Sequence, residues 1–119
     1  MLRKKRDYRE IAQAAARAAD DKKAVDIRVL DIRKASDVAD FVVIAGVESG
    51  AQMRAVEESV EGALEKAGLR RIRREGQPGS RWIALDYGNL VIHILLPEAR
   101  QFYRLENMWE NSHSVRWRQ

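Results

Sequence analysis

Catalysis would have to be built from very few side chains in this sequence. The chain has no cysteine, which excludes a thiolate nucleophile and a cysteine-based zinc site, and its only histidines are His93 and His113. Ser49, His93 and Asp86 could be written as a hydrolase triad. The Gly-x-Ser-x-Gly elbow is absent, however, and Ser49 is better explained as a helix cap. We therefore expect no serine hydrolase activity.

Paired carboxylates could instead form a metal-dependent catalytic site, because two carboxylates one residue apart on a strand can hold a divalent metal ion. Asp26 and Asp31 lie five residues apart, so they point to opposite faces of one predicted strand. Asp40 and Asp86 belong to different strands, and no predicted strand carries Asp-x-Asp or Asp-x-Glu. A glycine-rich phosphate loop is also missing. We predict no catalytic residue, no metal and no cofactor.

The length of 119 residues suits one domain that buries its own core. The apolar runs are far shorter than the roughly 20 residues that a membrane-spanning helix needs. Charged residues follow the basic residues 3–6, where a signal peptide needs an apolar segment. We expect a soluble protein of the cytoplasm, a reducing compartment with which the lack of cysteine is compatible.

Basic residues outnumber acidic ones, 22 to 18, which gives a net charge of +4. They concentrate in three segments: the amino terminus, residues 70–74 and residues 116–118. One interpretation is a solvated surface that keeps the protein soluble. The other is a peripheral contact with the phosphates of a nucleic acid, which salt would weaken.

Hydrophobic periodicity predicts an α/β fold, with a mixed β-sheet of about five strands packed with helices. An alanine-rich helix over residues 7–23 has a thin apolar stripe, so packing on the sheet must hold it. A capping box of Ser49 and Gln52 begins a second helix, and Gly68 ends it. The strands are predicted at residues 26–32, 41–45, 69–74, 81–87 and 90–96, with the second central and the third at an edge.

The last two strands form a predicted hairpin, because Gly88 and Asn89 are typical of a two-residue turn in which glycine takes a positive φ. Its register pairs Trp82 with Leu95 and Asp86 with Val91. The apolar face of the hairpin should be core, and it carries Ile83, Leu85, Tyr87, Leu90, Ile92 and Ile94. We call the other face the mixed face; it carries Trp82, Ala84, Asp86, Val91, His93 and Leu95.

The mixed face is the candidate functional surface. A tryptophan beside a carboxylate is typical of an interface anchor, although Trp82 could instead pack beneath the carboxyl-terminal segment. Asp86 and His93 lie diagonally across the hairpin, roughly 7 Å apart at the backbone, so that their side chains can meet. The alternative for His93 is a hydrogen bond that only fixes local packing.

The carboxyl-terminal part begins with a helix that Pro97 is well placed to open. Tyr103 in this part fits an interface and the core equally well. From residue 110 onward we expect a basic, mobile tail. We therefore predict a single domain over residues 1–109 and a tail over residues 110–119.

The chain resembles the ribosomal silencing factors, also called the Iojap-related proteins, over about residues 11–109. The resemblance rests on residues in the family's order, namely 26–31, 39–45, Glu75, Gly76, Trp82, Asp86, Tyr87, Gly88, His93, Arg100, Tyr103, Leu105, Glu106 and Trp109. It implies a sheet topology similar to that of nucleotidyltransferases, without the catalytic carboxylates.

The resemblance also implies a function. Ribosomal silencing factors bind the fourteenth universal protein of the large ribosomal subunit, block joining of the small subunit, repress translation and are linked to late large-subunit assembly. Matching positions imply that the partner-binding residues are Trp82, Ile83, Asp86, Tyr87, Arg100, Tyr103 and Glu106. The face analysis puts Tyr87 on the core side, so its inclusion rests on the resemblance alone. The resemblance implies that the nucleic acid met by the basic segments would be ribosomal RNA, at the periphery of the docking site. A homodimer is compatible with the resemblance.

Some positions depart from the family pattern. Ala39 replaces the usual threonine, and Asn89 replaces a frequent aspartate and so removes one charge near the turn. The segment from Gly46 to Ser49 departs from the commoner Thr-Gly-x-Ser arrangement, which weakens any inherited nucleotide site. The alternative function is a catalytically active, nucleotidyltransferase-like enzyme that binds a nucleotide.

Overall fold

One mixed β-sheet organises the molecule. The structure, a computed structural model, describes residues 7–77, 79–103 and 112–118, and for residues 101–103 it describes the backbone alone. Its strands are β1 (Val25–Asp31), β2 (Phe41–Gly46), β3 (Arg73–Glu75), β4 (Trp82–Asp86), β5 (Leu90–Leu95) and β6 (His113–Val115). Its helices are α1 (Tyr8–Asp21), α2 (Gly50–Lys66) and α3 (Pro97–Tyr103).

Within these described ranges the strand order is β3-β4-β5-β2-β1-β6. β2 and β5 run parallel, and the other neighbouring strands run antiparallel. Every residue of β2 is buried, which confirms its predicted central position. The predicted α/β fold with a mixed sheet is confirmed. No helix in the described parts of the chain has the length and apolar character needed to cross a bilayer.

Helices α1 and α2 pack against each other and cover one face of the sheet. Asp7 caps α1 by accepting a hydrogen bond from the Glu10 amide at 3.1 Å. The alanine stripe of α1 is buried, as predicted, and lets the helix approach its neighbours closely. Ser59 of α2 reaches across this contact and donates its hydroxyl to the Ala18 carbonyl at 2.9 Å.

The start of α2 follows the predicted capping pattern and adds a link to α1. Ser49 Oγ accepts a hydrogen bond from the Gln52 amide at 3.0 Å. Gln52 Oε1 accepts from the Glu48 amide, and Gln52 Nε2 donates to the carbonyls of Lys22 and Lys23 just beyond α1. The same side chain therefore caps one helix and fixes the end of the other.

The hairpin of β4 and β5 has the predicted register, from Trp82 opposite Leu95 to Asp86 opposite Val91. Gly88 supplies the expected positive φ, at +86°. The six residues assigned to the core face are buried in the apolar cluster beneath α1 and α2: Ile83, Leu85, Tyr87, Leu90, Ile92 and Ile94. The hairpin therefore presents its mixed face to the other side of the sheet.

A second, smaller apolar cluster lies on the mixed-face side. It joins Leu30, Val42 and Ile44 of the sheet to Leu95 and to Ala99 of α3. Leu95 is fully buried in this cluster, whereas the other members of the mixed face are only partly buried. Trp82 and Val91 pack against its border and remain half-buried.

The edge strand β3 lies later in the chain than predicted. We predicted residues 69–74, but β3 is Arg73–Glu75 and residues 69–71 are irregular. Leu69 is buried after the helix end, where its amide donates to the Leu64 carbonyl and Gly68 has φ +85°. The first residues of the predicted strand therefore form the carboxyl-terminal cap of α2, and the strand that pairs with β4 begins only after this cap.

Residues 113–118, which we assigned to a mobile tail, contain a further strand and a tryptophan packed against the core. His113–Val115 form β6, which pairs with β1 at the opposite edge of the sheet from β3. Trp117 Nε1 then donates to the Ile27 carbonyl at 3.2 Å, and the indole packs against the larger apolar cluster. Burial of Val115 and partial burial of Trp117 hold this segment despite its basic composition.

Gly76 allows the chain to pass closely over β4, and replacing it should destabilise the fold. Its φ is +118°, and an added Cβ would lie 2.7 Å from Ile83 Cγ2 and 2.9 Å from the Trp82 carbonyl oxygen. We expect Gly76→Ala to lower the free energy of unfolding by about 2–4 kcal/mol through strain and overpacking. Urea unfolding measures this difference.

Gly62→Ala is the matched control, since Gly62 lies inside α2 and no heavy atom lies within 4 Å of its added Cβ. It should stabilise the protein by about 0.5–1 kcal/mol, because alanine favours the helix. Equal stability of Gly76→Ala and the wild type would contradict the close approach.

Candidate interaction surface

Trp82 and His93 form the central contact of the mixed face. Trp82 Nε1 donates to His93 Nδ1 at 3.0 Å, and the ring centroids lie 5.6 Å apart with a 44° tilt. Trp82 is opposite Leu95 and His93 is opposite Ala84, so the two are diagonal neighbours across the hairpin. The imidazole therefore holds the indole in one orientation at the edge of the smaller apolar cluster.

Burial sets the charge of His93. It lowers the pKa of the imidazole from 6.5 to about 4, because the charged form would lose its hydration. His93 is therefore neutral at pH 7, and its Nδ1 can accept the indole proton. His93 thus forms a hydrogen bond within the protein, in which Trp82 is the donor.

Asp86 does not form the contact with His93 that its diagonal position allowed. Its Oδ1 accepts from the Gly88 amide at 2.8 Å, which fixes the hairpin turn. Its Oδ2 lies 3.5 Å from Nη2 of Arg73, the residue opposite it on β3. Each oxygen of the carboxylate therefore has a neighbour within the protein. The Asp86 side chain still keeps 30% of its surface exposed.

A shallow cleft of about 250 Å³ adjoins the Trp82 indole. Its lining residues are Glu75, Gly76, Trp82, Ala84 and His93. Glu75 contributes an exposed carboxylate, which Arg73 approaches at 3.6 Å. The cleft thus offers an aromatic wall and a negative charge, which suit a partner's apolar or cationic side chain. We did not predict Arg73 or Glu75 as site residues, because their placement depends on the shifted β3.

Arg100 lies on the same side of the sheet as the mixed face, at the Trp82 end. An added Cβ on Gly46 would lie 3.3 Å from Arg100 Nη1, which places the guanidinium over the end of β2. Gly46 and Trp82 both pair with Leu95, so Arg100 and Trp82 belong to one end of the sheet. Tyr103 ends α3, its side chain is not described, and Glu106 lies outside the described residues.

Ile83 and Tyr87 face away from this surface. Their exposed fractions are 1% and 5%, and both belong to the apolar cluster beneath α1 and α2. Burial raises the pKa of the Tyr87 phenol to about 12, because the phenolate would be poorly solvated there. The structure thus brings together Trp82, Asp86 and Arg100 on one side and leaves Ile83 and Tyr87 on the other.

The side chains considered for catalysis have separate structural roles. Ser49 caps α2, His93 accepts from Trp82, and Asp86 bonds the Gly88 amide. Asp31 is held by Arg33 through bonds of 2.9 and 2.6 Å, and these lower the pKa of its carboxyl. Among the described residues, no three histidine, aspartate or glutamate side chains are grouped as a metal site.

The buried imidazole makes stability depend on pH in a defined window. The unfolded state binds a proton near pH 6.5 and the folded state only near pH 4, so stability falls as pH drops between these values. We expect the wild type to lose about 1–3 kcal/mol more than His93→Gln from pH 6.5 to 4. Urea unfolding across this range, referenced to pH 7.5, measures the difference. Parallel pH profiles for the two proteins would contradict a buried neutral His93.

Comparisons with known proteins agree with the fold. The chain is 34% identical over 103 residues to the ribosomal silencing factor RsfS of Bacillus subtilis, covering 87% of each chain. It is 37% identical over 101 residues to the chloroplastic protein Iojap of Zea mays, covering 85% of this chain and 44% of the maize protein. A crystal structure of a Chromobacterium violaceum protein superimposes with a TM-score of 0.83 at 32% identity, covering 87% of each chain.

The family comparison covers almost the whole chain. Residues 5–119 match the model of the family described as ribosomal silencing factor during starvation. The match includes β6 and the segment after it, which we had separated as a tail. The resemblance seen in the sequence is confirmed, and the chain belongs to the ribosomal silencing factor family.

Proposed function

We propose that this protein binds the large ribosomal subunit through the subunit's fourteenth universal protein and blocks joining of the small subunit in the cytoplasm. Family membership supports the silencing role. The proposed binding site rests on the hairpin register. This register puts Trp82 and Asp86 on the face of the sheet that α1 and α2 leave uncovered. The mixed face is therefore the docking surface.

Trp82 is the apolar anchor of this surface. Its indole is half-buried, and its hydrogen bond to His93 restricts the ring before a partner arrives. A restricted side chain loses less conformational entropy on binding than a free one. The adjoining cleft gives a partner side chain room to pack on the same ring. Such partly enclosed aromatic positions commonly dominate the binding energy of interfaces.

The charged residues around Trp82 set the orientation of the partner. Asp86 and Glu75 present carboxylates, and Arg73 lies between them at 3.5 and 3.6 Å. A basic side chain of the ribosomal protein would replace Arg73 as the neighbour of Asp86. Because these groups are exposed, their pairing contributes more to orientation and association rate than to affinity.

Ile83 and Tyr87 contribute to binding indirectly, from the opposite face of the contact strand. Their side chains fill the cluster beneath the sheet, so they fix β4 against α1 and α2. Arg100 contributes beside Gly46, on the docking side. We assign Trp82, Asp86 and Arg100 to contact with the partner, and Ile83 and Tyr87 to holding the contact strand in place.

Silencing by this mechanism requires only that the protein occupies the joining surface of the large subunit, and it needs no chemical step. A protein bound where the small subunit must approach lowers the fraction of large subunits able to join, to an extent set by its concentration and dissociation constant. The Bacillus subtilis relative is named as a ribosomal silencing factor, which fits a regulatory role without turnover. The enzymatic alternative predicts consumption of a nucleotide in the presence of magnesium, which an assay of purified protein with nucleoside triphosphates would detect.

Truncating the anchor should weaken binding to large subunits. We expect Trp82→Ala to cost about 2 kcal/mol or more, a loss of roughly 30-fold in affinity. Trp82→Phe should lose less, since it keeps an aromatic surface while it removes the bond to His93. Asp86→Asn should have a smaller effect that decreases with salt. Co-sedimentation with purified large subunits over a protein titration measures all three.

Ile72→Ala is the control, because Ile72 is an apolar residue outside the mixed face and is 70% exposed. It should bind like the wild type. A parallel assay follows the joining of large and small subunits as wild-type protein is added. Normal joining at saturating protein would refute the proposed function, and full binding by Trp82→Ala would refute the assigned surface.

A further inference from the structure

Ala84 lies between larger side chains on the mixed face. In the register of the sheet it is opposite Glu75 on β3 and His93 on β5. Trp82 precedes it by two residues on β4, so the indole lies on the same face. The alanine methyl group leaves a gap among these three side chains, and this gap is the cleft of about 250 Å³ that adjoins the indole. The small size of one side chain therefore creates the cleft.

The walls of the cleft favour a cation over an anion or a neutral group. Glu75 supplies an exposed carboxylate, and the face of the Trp82 indole attracts positive charge. His93 does not oppose a cation, because burial lowers the pKa of its imidazole to about 4 and leaves it neutral at pH 7. An apolar side chain could pack on the indole, but it would displace water from the carboxylate without pairing it.

Arg73 lies next to the cleft and already neutralises part of its charge. Its Nε lies 3.6 Å from Glu75 Oε1, and its Nη2 lies 3.5 Å from Asp86 Oδ2. Its side chain is 66% exposed, and exposed ion pairs at such distances are weak. A cation from a partner can therefore replace Arg73 beside Glu75 at little cost. Arg73 acts as an internal competitor for the carboxylate, which lowers the affinity of the cleft for any cation.

We propose that this cleft is a pocket for one arginine side chain of the ribosomal partner, in which Glu75 selects for positive charge. The inference rests on the proposed function, which makes the mixed face the docking surface. Glu75 and Trp82 are diagonal neighbours across β3 and β4, roughly 7 Å apart at the backbone, so one guanidinium group can contact both side chains. Arginine fits better than lysine, because its planar group stacks on an aromatic ring while its fork of N–H donors pairs with a carboxylate.

Nuclear magnetic resonance of the Trp82 indole N–H tests the pocket without ribosomes. The probes are the acetylated and amidated peptides Gly-Arg-Gly, Gly-Lys-Gly and Gly-citrulline-Gly at constant ionic strength, and Trp82→Phe identifies the signal by its loss. We expect saturable shifts with the arginine peptide and a dissociation constant on the order of 10 mM. The lysine peptide should bind about threefold more weakly. The uncharged citrulline peptide should give no saturable shift.

Single changes of charge separate the pocket from general electrostatic attraction. Glu75→Gln should weaken binding of the arginine peptide about threefold, and Arg73→Gln should strengthen it about twofold. Glu58→Gln and Arg54→Gln are the matched controls, because they make the same two changes of charge at exposed positions of α2, on the other face of the sheet. Both controls should bind the arginine peptide like the wild type.

Ala84→Val tests the shape of the pocket without a change of charge. The added methyl groups fill the gap, so the arginine peptide should give no saturable shift. Valine favours a strand, and a melting temperature like that of the wild type separates this loss from unfolding. The pocket would be overturned by full binding to Ala84→Val, by equal losses in Glu58→Gln and Glu75→Gln, or by equal affinity for the citrulline peptide. Equal affinity for the lysine peptide would overturn the choice of arginine.

Co-sedimentation with purified large subunits tests the source of the arginine separately. Glu75→Gln should lower the affinity about threefold, and Ala84→Val about tenfold. Wild-type affinity of both variants would overturn the pocket, whereas Trp82→Ala still decides the docking surface. Failure of the wild type to bind large subunits would refute the proposed function and the ribosomal source of the arginine, and the peptide titrations would still decide whether the pocket binds arginine.

Discussion

The register of the β4–β5 hairpin is the constraint on which the rest of the structure depends. Each residue of these strands has a fixed partner, from Trp82 opposite Leu95 to Asp86 opposite Val91. A slip by one residue would move Ile83 and its apolar neighbours away from α1 and α2 and bury the polar set instead. The positive φ of Gly88 and the bond from its amide to Asp86 hold the turn in the required form. Core formation and display of the mixed face therefore follow from the same pairing.

The two sides of the sheet are stabilised differently. The side beneath α1 and α2 is apolar and closely packed, with alanines where the helix approaches the strands. The mixed-face side has a smaller apolar cluster, and its polar groups bond one another: Trp82 to His93, and Asp86 to Arg73 and Gly88. These bonds satisfy the polar atoms and orient side chains that a partner can then contact. Preorganisation of this kind links the fold to the proposed binding, since it lowers the entropy lost on association.

Local signals were sufficient for much of the fold. Gly88 and Asn89 between alternating strands predicted the hairpin and both of its faces, and Ser49 with Gln52 predicted the start of α2. Family-specific residues identified the family. The features that sequence reasoning missed depend on contacts between distant segments. β6 has only three residues, and its strand character comes from pairing with β1 and from burial of Val115. The hairpin register allowed His93 two diagonal neighbours, Trp82 and Asp86, and only the turn and β3 decide that Asp86 bonds elsewhere.

Hydroxyl-radical footprinting of the protein, free and bound to purified large ribosomal subunits, tests the central claim most directly. It reports the solvent exposure of individual side chains without any substitution. The mixed face as docking surface predicts that Trp82 and Val91 lose reactivity on binding, whereas Tyr8 of α1, on the other side of the sheet, does not. Protection of Tyr8 with unchanged reactivity at Trp82 would contradict this account and place the ribosome on the helical face.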